Sequence, residues 1–204
     1  MKTMLILGGD RIASSALSVL KGTENLSIVI DQSTNIKRVA RLIIKKRLPL
    51  LLVIKMLFCE IKRPKPLVFL PGLPVIKSNK DLLALIEKIK PERIVLFRAG
   101  LVISKDVISN GIPLLNIHCA KLPEYSGLGS IYRAIRDNAI EQFATLHRVT
   151  TTIDEGEVFD IEPFRLDLEH SYCFNEDIAY QAGIVLLKRT IGCHISDLHK
   201  KCPA

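Results

Sequence analysis

Short apolar runs alternate along most of this chain with stretches whose apolar residues recur every three or four positions. Residues 4–7 form the first run, closed by Gly8-Gly9-Asp10. Ile12, Ala13, Ala16, Leu17 and Leu20 then share one face at helical spacing, which predicts strand, turn, helix. Residues 26–30 read as a second strand ending at Asp31. Asn79 is placed to cap a helix running to about residue 90, with residues 94–97 a third strand, 104–110 a short helix closed by Gly111, and 114–118 a further strand. Apolar strands alternating with amphipathic helices predict an α/β fold with a mostly parallel sheet covered on both faces.

After Gly127 the pattern changes. Residues 131–137 read as helix, 144–149 and 157–166 as two strands joined by 150–156, and a long last helix is expected from near Asn175 past Leu187. No repeat or low-complexity linker interrupts the pattern, so residues 1–204 are read as one domain with a helical insert at about 36–65. In the insert, Ile36, Val39, Ala40, Ile43 and Ile44 form an apolar stripe, and LPLLLVIKMLFCEIK is apolar nearly all round.

Charge changes the picture only locally. The net charge of the 204 residues is +8. Between Lys37 and Lys65 ten Lys or Arg face one acid, Glu60, so that segment alone is +9 and the rest is near neutral. A chain-wide nucleic-acid footprint is therefore not expected, and the absence of Trp argues against base-stacking platforms. The basic segment reads either as a helical hairpin on the sheet with a solvated face or as a contact for anionic partners, a membrane surface or acceptor phosphates. Five cysteines at irregular spacing, without CxxC, predict reduced thiols in a cytoplasmic protein. The N-terminal apolar run is too short for a signal peptide, and residues 48–59 are too short to span a bilayer. Cys193, His194, Asp197 and His199 lie close together, but two adjacent ligands near a frayed end are read as terminal helix, and no metal is expected.

The candidate chemistry sits where a strand meets a loop. In LLNIHCAKLPEYSG, residues 114–127, alternation places Asn116 and His118 on one strand face with Ile117 on the other. Ligands of such sheets bind beyond the carboxyl ends of the strands. The loop TTTIDEGE carries Asp154. An amide, an imidazole and a carboxylate on neighbouring strand-end loops make a plausible acid–base set. His147 reads either as a core histidine or as a residue on the acceptor side.

The stretch LLNIHCAKLPEYSG resembles the pattern Asn-x-His-x-x-x-Leu-Pro-x-Tyr-x-Gly of the folate-dependent formyltransferases. ATLHRVTTTIDEGEVF, residues 144–159, is similar to the family's Thr-x-His strand and Asp-x-Gly loop, and IVLFRAGLVISKDVIS to its pterin-lining segment. The resemblance implies a Rossmann-like, mostly parallel twisted sheet with helices on both faces. It also implies formyl transfer from 10-formyltetrahydrofolate to a primary amine. Asn116 and a protonated His118 would stabilise the oxyanion, and Asp154 would relay protons and keep His118 charged. Gly100, Leu101, Val102 and Ile153 match the cofactor lining. Gly8, Gly9, Asp10, Tyr125, Gly127 and His147 match the acceptor side.

Departures from the family narrow the acceptor. The glycinamide-ribonucleotide branch carries Gly-Asn-Gly-Ser-Asn where this chain has LGGDRIASSAL, and Asp10 would repel a phosphate there, although the Gly-Gly pair before a helix stays a generic anion site. The initiator-tRNA branch has a further C-terminal domain and usually an Arg where Ser126 stands, and Ala144 replaces a family Gly. By elimination the expected acceptor is the amine of a nucleotide-linked amino sugar, with a homodimer as the expected assembly. The alternatives are a phosphoribosylglycinamide formyltransferase, a hydrolase of formylfolate, and a catalytically silent homologue that binds a ligand or assembles with a partner.

Overall fold

The computed structural model describes residues 1–20, 22–33, 36–45, 49–63 and 72–193. The elements in chain order are β1 (Thr3–Gly8), α1 (Arg11–Val19), β2 (Leu26–Asp31), α2 (Ile36–Ile44), α3 (Leu50–Lys62), β3 (Val75–Ile76), α4 (Asn79–Ile89), β4 (Arg93–Phe97), α5 (Lys105–Ile108), β5 (Leu114–His118), α6 (Ser130–Arg136), β6 (Glu141–Arg148), β7 (Val158–Arg165) and α7 (Tyr172–Gly192). They build one mixed sheet in the order β3-β2-β1-β4-β5-β6-β7. Pairing is parallel from β3 through β5 and antiparallel from β5 to β7. The α/β class, the mostly parallel sheet and its coverage on both faces are as expected.

Alternation along the strands makes two cores. Leu5, Leu7, Val95, Phe97, Leu115, Ile117, Ala144 and Leu146 pack under α1, α6 and α7. Met4, Ile6, Ile94, Leu96 and Leu114 pack under α4 and α5. Asn116 and His118 continue the second set along β5, and Thr145 and His147 share its parity along β6. Four polar side chains therefore share one face where β5 ends against β6.

Several sequence expectations are corrected. Ser78, not Asn79, caps α4, its Oγ accepting from the Asp81 amide. The Asn79 side chain instead ties down the loop after β4, accepting from the Ser104 amide and donating to the Val102 carbonyl. α5 is a single turn, α7 begins at Tyr172 under a Ser171 cap, and the two-residue β3 went unpredicted. The insert forms two helices as expected. However, α3 is bound to α7: Cys59 and Cys173, 114 residues apart, form a disulfide with Cα atoms 5.3 Å apart. The expectation of five reduced thiols thus fails for this pair. Arg63 reinforces the clamp through Glu176 at 2.6 Å and Asp177 at 2.8 Å. The cluster from Cys193 to His199 lies outside the described residues, save Cys193. Among the described residues no helix is long and apolar enough to cross a membrane.

α7 lies close enough to the sheet that only glycine fits at one point. A Cβ on Gly183 would meet Cys119 Sγ at 2.5 Å and the Phe97 ring at 2.9 Å. Burial pushes the Cys119 thiol up to about 12, so it packs as a neutral group. Gly183→Ala is expected to destabilise the fold by about 1–3 kcal/mol, the usual range for overpacking. Urea denaturation of the two proteins checks this, and an unchanged midpoint contradicts the packing described.

Candidate functional site

The site is assembled by the antiparallel extension of the sheet. The β5–β6 register sets Asn116 opposite His147 and His118 opposite Thr145. Asn116 Nδ2 lies 3.0 Å from His147 Nε2. An irregularity in the β6–β7 pairing falls at Leu146/His147, the kind of local bend that re-aims side chains near sites. Beyond it, the β6–β7 loop folds back so tightly that a Cβ on Gly156 would lie 1.8 Å from the Arg148 carbonyl oxygen. That fold-back brings Asp154 to β5, in left-handed conformation at φ 58°, which Asp tolerates better than most residues.

The Asp154 carboxylate joins three elements. Its Oδ2 accepts from the Gly127 amide at 2.8 Å and lies 3.5 Å from His118 Nδ1. Its Oδ1 lies 3.4 Å from His147 Nε2. The far nitrogen of each ring faces a backbone carbonyl: His118 Nε2 reaches Tyr125 O at 2.8 Å, and His147 Nδ1 reaches Arg148 O at 3.0 Å. A carbonyl only accepts, so these far nitrogens carry the protons. In its neutral form His118 then turns a lone pair toward Asp154, while His147 Nε2 faces both the Asn116 amide and Asp154 Oδ1. The three groups Asn116, His118 and Asp154 converge as expected. His147, left open between core and acceptor side, joins them as a buried member of the same cluster.

Burial pushes the His118 pKa down, and the nearby Asp154 charge and the Tyr125 hydrogen bond do not compensate. Burial thus favours the neutral form of the resting imidazole. Burial also opposes charge on Asp154, but the His147 hydrogen bond, His118 and the Gly127 amide outweigh it and bring its pKa down to about 2. At rest the site favours an ionised Asp154 carboxylate, with burial working against charge on His118.

The remaining candidates divide. Gly127 contributes its amide. Tyr125 contributes its carbonyl, while its ring packs against the core. The amides of Gly100 and Leu101 both donate to Asp31 Oδ2, at 2.6 and 2.7 Å, which ties the loop after β4 to the end of β2. The side chains of Val102 and Ile153 are exposed. Gly8 answers to packing, since a Cβ there would meet Arg98 O at 2.4 Å. The start of α1 is not the open anion site the Gly-Gly pair suggested. Asp10 caps it, accepting from the Ala13 amide at 2.8 Å and pairing with Arg98 at 2.6 Å. The Arg11 amide donates to Glu60 of α3 at 2.8 Å. Two of the chain's own carboxylates thus occupy the position where a phosphate would bind. Sequence reading missed Glu60, Arg98 and Asp31; only the isolation of Glu60 among ten cations signalled it.

The family model described as formyl transferase matches residues 62–166, just over half of the chain. The chain belongs to the formyl transferase family. It is 30% identical over 118 residues to a methionyl-tRNA formyltransferase of Hydrogenobaculum sp. (strain Y04AAS1), a match covering 56% of this chain and 38% of that protein. It is 31% identical over 90 residues to a formyltetrahydrofolate deformylase of Mycobacterium bovis, covering 43% and 28%. The chain thus spans well under half the length of these curated relatives. Solved structures share the fold: a phosphoribosylglycinamide formyltransferase from Anaplasma phagocytophilum superposes with TM-score 0.64 at 16% identity, over 92% of this chain and 82% of that one. A sugar N-formyltransferase from Shewanella sp. FDAARGOS_354 gives 0.62 at 18%, over 98% and 70%.

Two titrations follow. In the resting protein the His118 imidazole is expected to protonate below pH 6.5, read by NMR of its ring protons; a midpoint above 6.5 contradicts the dominance of burial. For stability, the depressed pKa of Asp154 contributes about 2 kcal/mol. That contribution is complete above about pH 4 and is lost as the pH falls through about 2. Urea midpoints of the wild type and Asp154→Asn should therefore differ at pH 7 and converge toward pH 2.

Proposed function

We propose that this chain transfers the formyl group of 10-formyltetrahydrofolate to a primary amine. The observation that carries the reading is the convergence of Asn116, His118 and Asp154 at the strand ends, in a chain of this family. The amine nitrogen attacks the formyl carbon, and the carbonyl becomes a tetrahedral oxyanion. The bond to the folate nitrogen then breaks, giving the N-formyl amine and tetrahydrofolate. Asn116 has a second N–H beyond the one facing His147, and that donor stabilises the oxyanion. The attacking nitrogen must lose a proton and the leaving nitrogen must gain one. The lone pair of His118 Nδ1, 3.5 Å from Asp154 Oδ2, offers that proton a stopping place, reached through water. Protonation there turns His118 into a cation paired with Asp154 while the oxyanion exists. A carboxylate with a pKa of about 2 is too weak a base to hold the proton itself, so Asp154 acts by holding the charge of His118. Gly100, Leu101, Val102 and Ile153 would face the pterin.

For the acceptor, we infer the amine of a nucleotide-linked amino sugar. The occupation of the α1 start by Asp10 and Glu60 supports this over glycinamide ribonucleotide, whose phosphate would meet two carboxylates there. Formylfolate hydrolysis is the second reading, favoured by the similarity to a protein named formyltetrahydrofolate deformylase.

Tetrahydrofolate release, followed by absorbance with 10-formyltetrahydrofolate, tests both. Turnover is expected to require an amine and to favour amino-sugar nucleotides. Equal turnover without amine assigns hydrolysis, and preference for glycinamide ribonucleotide overturns the acceptor. His118→Ala and Asp154→Asn should each lower kcat by roughly 10² or more with folding intact, a typical loss for removal of a transition-state contact or general acid–base group. Near-wild-type kcat in either variant removes that residue from the mechanism.

A further inference from the structure

Helix α3 carries an apolar face that the fold leaves uncovered. Leu50, Leu51, Ile54, Leu57, Phe58 and Ile61 follow the i, i+1, i+4, i+7, i+8, i+11 rule and are each 53–74% exposed. Isolated exposed apolar residues are ordinary; six in one continuous stripe are not.

The opposite face is already committed. Leu52 and Cys59 are buried, Cys59 is bonded to Cys173, and Leu52 Cδ2 lies 2.7 Å from where a Cβ of Gly129 would stand. Lys55 Nζ lies 5.6 Å from the centre of the Tyr132 ring in α6. Glu60, the single acid of the insert, turns inward to the Arg11 amide and to Arg63. Among the described residues, α3 itself therefore presents no carboxylate on its outward face. Lys62 Nζ, at its edge, stands 4.4 Å from the Phe58 ring centre. At the end of α2, exposed Arg41 and Lys45 flank Ile44, which is itself exposed.

We propose that α3, with the end of α2, is an interfacial helix that seats the protein on an anionic lipid bilayer. Thirteen residues of helix extend about 20 Å, too short to cross the hydrocarbon core of about 30 Å but sufficient to lie within its boundary. An apolar stripe edged with Lys and Arg matches a surface that offers acyl chains and phosphate charge together. Charge selects this occupant over a second copy of the chain, because pairing two stripes would bring two segments of charge +9 together. The inner face of α3 packs on Gly129, two residues after the amide that holds Asp154. The bound protein thus carries its site loop directly behind the docking helix. This inference is independent of the formyl-transfer reading.

Co-sedimentation of the full chain with vesicles tests it, using phosphatidylcholine alone and phosphatidylcholine with about one third phosphatidylglycerol. The partition coefficient should be roughly tenfold or more higher on the acidic vesicles at low salt and should fall as salt is added, as expected for several cations near a charged surface. Leu57→Glu with Ile61→Glu, both at exposed positions, should abolish binding while the circular dichroism spectrum and Tm are kept. Absence of binding to acidic vesicles overturns the proposal, as does binding that the double variant retains. A concentration-dependent dimer in sedimentation velocity, lost in the double variant, overturns it in favour of a second copy.

Discussion

One carboxylate organises the site. Asp154 stands at the tip of the β6–β7 loop and touches the Gly127 amide, the His118 ring and the His147 ring, while His147 in turn holds Asn116. None of these groups is near another in sequence order except Asn116 and His118. What joins them is topology. A parallel sheet alone would send the chain after β5 away to a crossover helix. The antiparallel β6 and β7 instead return a loop to the carboxyl end of β5, and the tight approach at Gly156 drives its tip inward. The cost of holding an ionised carboxylate in a mostly buried position is offset by the hydrogen bonds and charges that converge on it.

The insert is more than a basic appendage. α3 supplies Glu60 to the start of α1 and a disulfide to α7, and Arg63 just after it pairs with α7, so the insert covers the start of α1. Arg98, at the end of β4, is buried over the Tyr180 ring and paired with Asp10. Burial works against its charge, but Tyr180, Asp10 and Glu176 outweigh that and hold its pKa above the ordinary value. The anion site at the helix start has in effect been filled from within.

Most of the fold was legible because it rests on local periodicity. Strands β1, β2, β4 and β5 and the helices α1 and α4 follow from apolar spacing, and the shared face of Asn116 and His118 follows from alternation alone. Asp154 stood out as a carboxylate on a strand-end loop, but its approach to His118 rested on the family resemblance, because nothing local says that a loop thirty-six residues later returns there. The errors have physical causes. Ser78 and Asn79 are both good caps, and the choice went against Asn79 because its amide could bridge Val102 and Ser104. The Cys59–Cys173 pair depends on how α3 packs on α7, which spacing does not encode. The downward push on the His118 pKa reflects burial, and burial of a strand-end ring is set by the loops that cover it.

The central claim is that Asp154 remains ionised because His147, His118 and Gly127 hold it. Following its carboxyl carbon by NMR from pH 6 toward pH 1 measures this directly in the unliganded protein. A midpoint near 2 is the predicted result. A midpoint at or above the ordinary aspartate value near 3.8 would mean that the carboxylate is not held as described, and the site would have to be built another way.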